Sequence, residues 1–357
     1  MADSPRLDIA VKVRRPELVG LGALVGAGLL LMAIGARWFT GPVAIIALTL
    51  VFAAIVWMIA TAVMGGPQAR RKIAPYGLLK PGALWLALFY LAPLVTLLRL
   101  SLSTLPSRFA VDAEFDWNIG NYSDAFTDFG PQFQRAFLYA GVATILTILI
   151  GYPLAYVIAF RGGKYRNLLL GLVVVPFFTS YLIRTIAWRS LLNDTGQVVQ
   201  LLDAIKLSGL FESIGLMNNG RILQTPTAVI GGLTYNFLPF MILPIYVSLE
   251  KVDPGLVDAA QDLYSTTAAA FRKVVLPLSM PGVFAGTLLT FIPAAGDFVN
   301  ALYLGSPSTT MIGNSIQDQF LVQNNVPLAS AMSFVLMAII TVLVLVYSRF
   351  FGTEDLT

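Results

Sequence analysis

The stretch VDAAQDLYSTTAAAFRKVVLPLSMPG, Val257 to Gly282, decides how the rest of the chain is read. It carries Asp258, Asp262, Arg272 and Lys273 around an Ala-rich middle and a Leu276-Pro277 step. Apolar blocks long enough to cross a bilayer stand on both sides of it, at about 227–249 and 282–304. Asp253-Pro254 just before it is a helix start, since Asp caps free amides and Pro suits the first helical position. Leu256, Ala259, Ala260 and Leu263 then fall on neighbouring faces, with small Ala residues that let another surface approach closely. Ser265, Thr266 and Thr267 offer a second N-cap, and AAAFRKVVL propagates a helix that Pro277 is expected to stop. The segment reads as two short helices joined at Tyr264-Ser265. Two roles stand open for it: a solvated amphipathic connector, or a docking element for a cytoplasmic partner.

Composition sets the solvent. Of 357 residues, 57% are hydrophobic and 12% charged, against about a quarter charged in a soluble domain. Mean hydropathy is +0.77, so lipid is the main medium. The absence of Cys excludes disulfide frameworks and thiolate chemistry, and the absence of His removes the commonest general base and metal ligand. No metal site and no catalytic residue is expected. A net charge of +4 is read as basic cytoplasmic loops rather than as a nucleic-acid surface.

Eight candidate spans follow from the apolar blocks: 18–36, 42–64, 82–100, 136–160, 167–187, 227–249, 282–304 and 328–351. The weakest is 167–187, which holds Pro176 and Arg184. One set of connections carries fifteen of the 23 Lys and Arg residues, including Arg70, Arg71, Lys72, Arg161, Lys164 and Arg166; the opposite set carries eight. The positive-inside rule then puts both termini, and Val257–Gly282 with them, in the cytoplasm. The fold class is an all-α polytopic membrane protein. The first block is read as a retained span, not a cleaved signal, because it is long, the next span follows almost at once and no persuasive small-x-small cleavage site precedes Arg37. Gly22 and Gly26 give it a GxxxG spacing.

Residues 1–64 form a basic leader and a hairpin, 65–81 a basic linker, 82–351 the main membrane domain, and 352–357 a tail. The charged loop occupies about 250–281. One outside loop, about 101–135, is acidic and aromatic; it is either a landing surface or a solvated face. The other, about 188–226, has the apolar spacing of one or two helices lying on the membrane surface.

The loop resembles the signature of permease subunits of type I ABC importers, roughly E-A-A-x-x-x-G followed after nine residues by I-x-L-P. Asp258, Ala259 and Ala260 stand at the E-A-A positions, Tyr264 at the glycine, Val274 at the isoleucine and Leu276-Pro277 at the L-P; Phe271 and Pro281 fit the wider pattern. Asp258 is shorter than Glu, which alters its reach. Tyr264 replaces a glycine, and a positive φ would be costly there, so a different turn is expected. FIPAAGDFVNALYLG (Phe291 to Gly305) and TMIGNSIQDQFL (Thr310 to Leu321) look like the spermidine/putrescine branch, specifically its first permease subunit. The likeness covers about 82–351.

The resemblance implies alternating access without bond-breaking chemistry by this chain. It implies a second, similar permease, two cytoplasmic ATP-binding subunits docked on the loops, and an extracytoplasmic substrate-binding protein. ATP and Mg would belong to those ATPase partners; no cofactor is expected here, and no GxxxxGK[ST] loop occurs. It implies a bacterial cytoplasmic membrane location, with polyamines as substrate. Other organic cations, amino-acid-like amines or phosphonates are alternatives within the class. A secondary transporter without an ATPase is the rival from another class, and a membrane enzyme a third reading. Asp297, late in the span 282–304, is the most informative intramembrane acid, as polyamines are cations. It borders the path, caps a helix break, or pairs with an Arg such as Arg184. Tyr235, Asn236 and Phe237 offer aromatic and amide contacts to ammonium groups, or serve as packing.

Overall fold

The computed structural model describes Gly82 and residues 85–107, 112–213, 215–264 and 266–350. The expected spans 18–36 and 42–64, the Gly22/Gly26 pair, the linker 65–81 and the tail 352–357 lie outside the described residues. The chain divides between Leu97 and Leu98 into two compact units. In the described part of the first, a π turn, Ala87–Leu91, enters helix α1 (Ala92–Ser101), which runs across the division. Of the span 82–100 the structure describes Gly82 and residues 85–100, with a short apolar helix over Phe89–Ser101.

The second unit opens with a two-stranded antiparallel ribbon, β1 (Ser103–Thr104) and β2 (Glu114–Phe115), with Ser103 opposite Phe115. Helix α2 (Gly120–Tyr156) follows and continues through a π turn to Arg161. This corrects the expected boundary near residue 136. Residues 120–135, assigned to the acidic loop, are the first turns of a helix that outruns an apolar span. They hold because Ala125 and Phe133 bury one side while Asp124 and Asp128 stay exposed.

The span 167–187 is not straight. Helix α3 (Arg166–Val174) passes into a 3-10 turn at Val175–Phe178, and α4 (Tyr181–Leu192) leaves at a bend of 94°. Pro176 sits at the start of the tight turn, and Thr179 and Ser180 are extended in ψ, so the chain redirects there. The second loop forms two short helices, α5 (Gln197–Ala204) and α6 (Ser208–Ser213), in line with its spacing. Leu201 and Leu210 on them, and Ile205 just past α5, are exposed.

Helix α7 (Pro226–Glu250) begins with Thr225, whose Oγ1 accepts the Ala228 N–H at 3.3 Å. Helices α8 (Pro254–Tyr264) and α9 (Thr267–Ala270) form the charged loop. A π turn, Phe271–Val275, joins α9 to α10 (Leu276–Ala295). Pro277 therefore does not stop the helix: Thr267–Ala295 runs as one apolar rod. The wider turn just before Leu276 absorbs the missing proline N–H and the ring's demand for space. The span 282–304 instead breaks at Gly296, and a short helix, α11 (Val299–Leu304), follows. Helices α12 (Ile312–Leu321) and α13 (Val326–Phe350) complete the unit.

Among the described residues four helices are long and apolar enough to cross a bilayer, five if the bent pair counts as one span. Because lipid tails are as apolar as Leu, such helices associate through close packing. Gly282 and Gly286 supply it here. A Cβ on Gly282 would lie 2.5 Å from the Pro244 carbonyl oxygen, and one on Gly286 2.7 Å from the Met241 Sδ. Helix α10 thus lies against α7 backbone to backbone. Around this contact one apolar cluster joins Phe133, Leu233, Phe237, Met311 and Met332, and a second joins Tyr152, Met241, Ile245, Leu249 and Val275.

Candidate functional site

The loop is built as its capping residues dictate. Asp253 Oδ1 accepts the Gly255 N–H at 2.8 Å, next to Pro254 at the first position of α8. Thr266, extended at φ −139°, starts the second helix, its Oγ1 accepting the Ala269 N–H at 3.2 Å. Tyr264 closes α8 as a helical residue, and it is not among the residues with positive φ. Tyr264 itself therefore avoids the conformation that a glycine would permit.

Helix α8 faces two ways. Ala260 is buried, and Val257 packs on the second cluster. Leu256 is 52% exposed and Leu263 75%, with Ala259, Asp258 and Asp262 exposed beside them. Three and four residues apart, Leu256, Ala259 and Leu263 make an uncovered apolar stripe flanked by two carboxylates.

The second helix is anchored. Phe271 meets Tyr152 edge-on at 5.8 Å and Tyr156 at 5.7 Å between ring centroids, so α2 grips the π turn with two tyrosines. Tyr152 Oη lies 2.7 Å from Ser279 Oγ one turn further on. Val275 is buried, Val274 and Leu276 half-buried, and Pro277 exposed. At the same end of the bundle Arg166, at the start of α3, pairs with Glu250 and donates to the Tyr246 hydroxyl at the end of α7.

The second candidate group lies in the interior. Asp297, 8% exposed, occupies the break between α10 and α11. Its Oδ1 accepts the Asn300 N–H at 2.8 Å, and its Oδ2 accepts from the Tyr181 hydroxyl. Asp297 therefore caps the helix break, and among the described residues no ion pair joins it to Arg184. The Arg184 guanidinium stands 5.5 Å from the Phe177 ring and 5.7 Å from the Tyr181 ring, with Nε and one terminal nitrogen buried and unbonded. Asn300 Nδ2 donates to Tyr181 Oη at 2.6 Å, and Asn236 Nδ2 donates to Asn300 Oδ1 at 3.1 Å and to Thr185 Oγ1 at 3.3 Å. One polar knot thereby ties α4, α7, α10 and α11.

Of the residues picked from the sequence, the knot unites Asp297 and Asn236. Phe237 is buried and touches the Tyr181 ring at 6.2 Å, and Tyr235 packs on Trp188 at 5.2 Å. Tyr181, Thr185 and Asn300 were missed. Asn300 had a local signal, three residues after Asp297 at capping distance. Tyr181 and Thr185 had none, because they are more than 100 positions from Asp297 along the chain.

Comparisons with known proteins agree with this architecture. Residues 137–352 match the family described as binding-protein-dependent transport system inner membrane component. The spermidine/putrescine transport system permease protein PotB of Haemophilus influenzae is 41% identical over 267 residues, covering 74% of this chain and 90% of that protein. Its namesake from Escherichia coli K12 is 35% identical over 269 residues, covering 74% and 93%. A chain of the bacterial ABC transporter that imports the acidic polysaccharide alginate shares the fold, with a TM-score of 0.56 at 17% identity, over 80% of this chain and 96% of that one. The chain is thus a multi-pass membrane protein, and it belongs to the family of binding-protein-dependent transport system inner membrane components.

Proposed function

We propose that the chain is a permease subunit of an ATP-driven importer of polyamines, spermidine and putrescine, in the bacterial cytoplasmic membrane. The observation that carries this reading is the 41% identity to a spermidine/putrescine permease along 90% of that protein's length. In this reading α8 faces the cytoplasm and docks one of two ATP-binding subunits. Its uncovered stripe of Leu256, Ala259 and Leu263, with Asp258 alongside, supports that role. ATP and Mg are held by those subunits, and this chain breaks no bond. A second, similar permease completes the path, and a binding protein delivers substrate on the far side. Motion of α8 passes through the π turn, where Phe271 is held by Tyr152 and Tyr156, into the rod of α10 and so to the break at Asp297.

Asp297, Tyr235, Asn236 and Phe237 are the candidate path residues. The carboxylate of Asp297 is engaged by Tyr181, which starts α4 directly after the 94° bend. Rotation of α4 about that bend would withdraw the phenol and present the carboxylate to an ammonium group.

Uptake of labelled spermidine and putrescine in a deletion strain tests the reading, with the wild-type chain and an Asp258→Ala/Pro277→Ala double variant restored separately. Deletion is expected to abolish uptake, and the double variant to lose ATPase co-purification. Unchanged uptake in the deletion strain would refute the polyamine assignment, and normal ATPase recovery with the double variant would refute docking on the loop.

A further inference from the structure

A cavity of about 570 Å³ lies at the end of the bundle away from the loop. Its walls are α11, the turn Gly305–Thr310, one face of α12 and the ring of Phe129 on α2. Phe129 and Tyr156 stand on the same helix, so at 1.5 Å per residue the cavity is roughly 40 Å from the Phe271 joint. Its size is that of a small-molecule site.

The lining is chemically one-sided. Gln317, Asp318 and Leu321 share a face of α12 by their spacing, and Leu302 of α11 adds apolar wall. Among the described residues no Lys or Arg lines it. Ser315, Gln317 and Asp318 make no side-chain hydrogen bond or ion pair within the described residues, and Asp318 is exposed. The frame around them is braced. Asn314 donates to the Phe298 carbonyl at 2.7 Å and receives the Met311 N–H at 3.2 Å, and Arg135 donates to the Ser308 carbonyl at 2.7 Å. The held side chains fix the wall, while the unbonded ones face the space.

An anion would meet a carboxylate and no cation. A purely apolar guest would strand a carboxylate, an amide and a hydroxyl. A divalent metal would find one carboxylate where it needs several oxygen ligands. An aliphatic chain with ammonium groups satisfies every wall: charge on Asp318, a cation over the Phe129 ring, amide and hydroxyl acceptors beside it, and methylenes against Leu302 and Leu321.

We propose that this cavity is a receiving site for an aliphatic polyamine, with Asp318 holding one ammonium group and Phe129 a neighbouring cationic segment. The proposal rests on the polyamine reading above and adds a station that Asp297 does not provide. The test uses the assembled permease–ATPase complex in nanodiscs without binding protein, and measures equilibrium binding of labelled spermidine. The wild-type complex is expected to bind saturably. Asp318→Asn should weaken binding about tenfold, the value of one charge-assisted hydrogen bond, while Asp318→Glu retains most of it. Recovery of both variants with their ATPases confirms assembly. Equal affinity in wild type and Asp318→Asn, or no binding by a wild-type complex that still imports spermidine, overturns the site and leaves the polyamine reading standing. Lowered uptake with unchanged direct binding assigns Asp318 to contact with the binding protein and equally overturns it. A wild-type complex that neither binds nor imports polyamines removes both.

Discussion

The loop around α8 and the polar knot around Asp297 solve opposite problems with similar residues. In the loop, Asp258 and Asp262 stand exposed beside the apolar stripe of Leu256, Ala259 and Leu263, which is itself exposed. In the knot, both carboxylate oxygens of Asp297 are bonded and the residue is 8% exposed. A carboxylate on a water-facing surface needs no partner, whereas one inside a membrane bundle must be surrounded by donors. The proposed docking role assigns the loop to something outside the chain, whereas the knot joins the chain's own bent helices. Substitutions should therefore act on different observables, assembly for the first and stability for the second.

The largest expected effect is at Asp297. Asp297→Ala leaves the Tyr181 hydroxyl without its acceptor and the Asn300 N–H uncapped at a buried break. Leaving buried donors unsatisfied costs about 3 kcal/mol in all. A fall in thermal unfolding midpoint and in membrane yield is expected. Asp297→Asn keeps an acceptor and should lose less than half as much. If both variants unfold like wild type, the knot does not hold the bend.

The same contrast explains what could be read from the sequence. The loop was legible because its determinants are local: Asp253, Pro254 and Thr266 cap what they precede, and hydrophobic spacing along a single helix marks its faces. Spans Pro226–Glu250 and Val326–Phe350 were equally legible, being unbroken and apolar. Hydropathy could not show the 94° bend after Phe178 or the start of α2 at Gly120, since it measures transfer to lipid and is blind to direction. It also joined 282–304 across the break at Gly296. Pro277 misled for a related reason: a proline's local cost is fixed, but a π turn one step earlier absorbs it. Nothing local announces that Tyr181 reaches Asp297.

At the joint between the two regions, intermediate effects are expected. Phe271→Ala empties the space between two tyrosine rings, and large-to-small changes at packed aromatics cost about 3 kcal/mol when fully buried. Phe271 is only half-buried, so about 2 kcal/mol is expected. The functional signature is ATP hydrolysis by the assembled complex that no longer tracks uptake. Ser279→Ala removes the bond to Tyr152 across the helices and the local one to the Leu276 carbonyl, and should cost about 0.6 kcal/mol for the former, the usual size for such bonds within membranes. Comparing the two variants in the same uptake assay separates ring packing from hydrogen bonding as the element that carries motion. Equal coupling in Phe271→Ala and wild type would place the mechanical link elsewhere.

The smallest effect on the chain itself is the most informative about its surroundings. Leu263 is 75% exposed, so Leu263→Ser removes almost no internal contact and should leave the unfolding midpoint unchanged within about 0.5 kcal/mol. If α8 is a docking helix, the same substitution takes away an anchor that a partner buries, at about 2 kcal/mol of association, or some thirtyfold in affinity. The paired outcome, stability kept and ATPase co-purification lost, is one that a solvated connector cannot produce. A connector would tolerate Leu263→Ser in both assays, as exposed surface positions generally do. Asp262→Ala on the same helix sharpens the distinction, because a lone exposed charge contributes little by itself, and a large loss there would mean that the partner presents a cation to it.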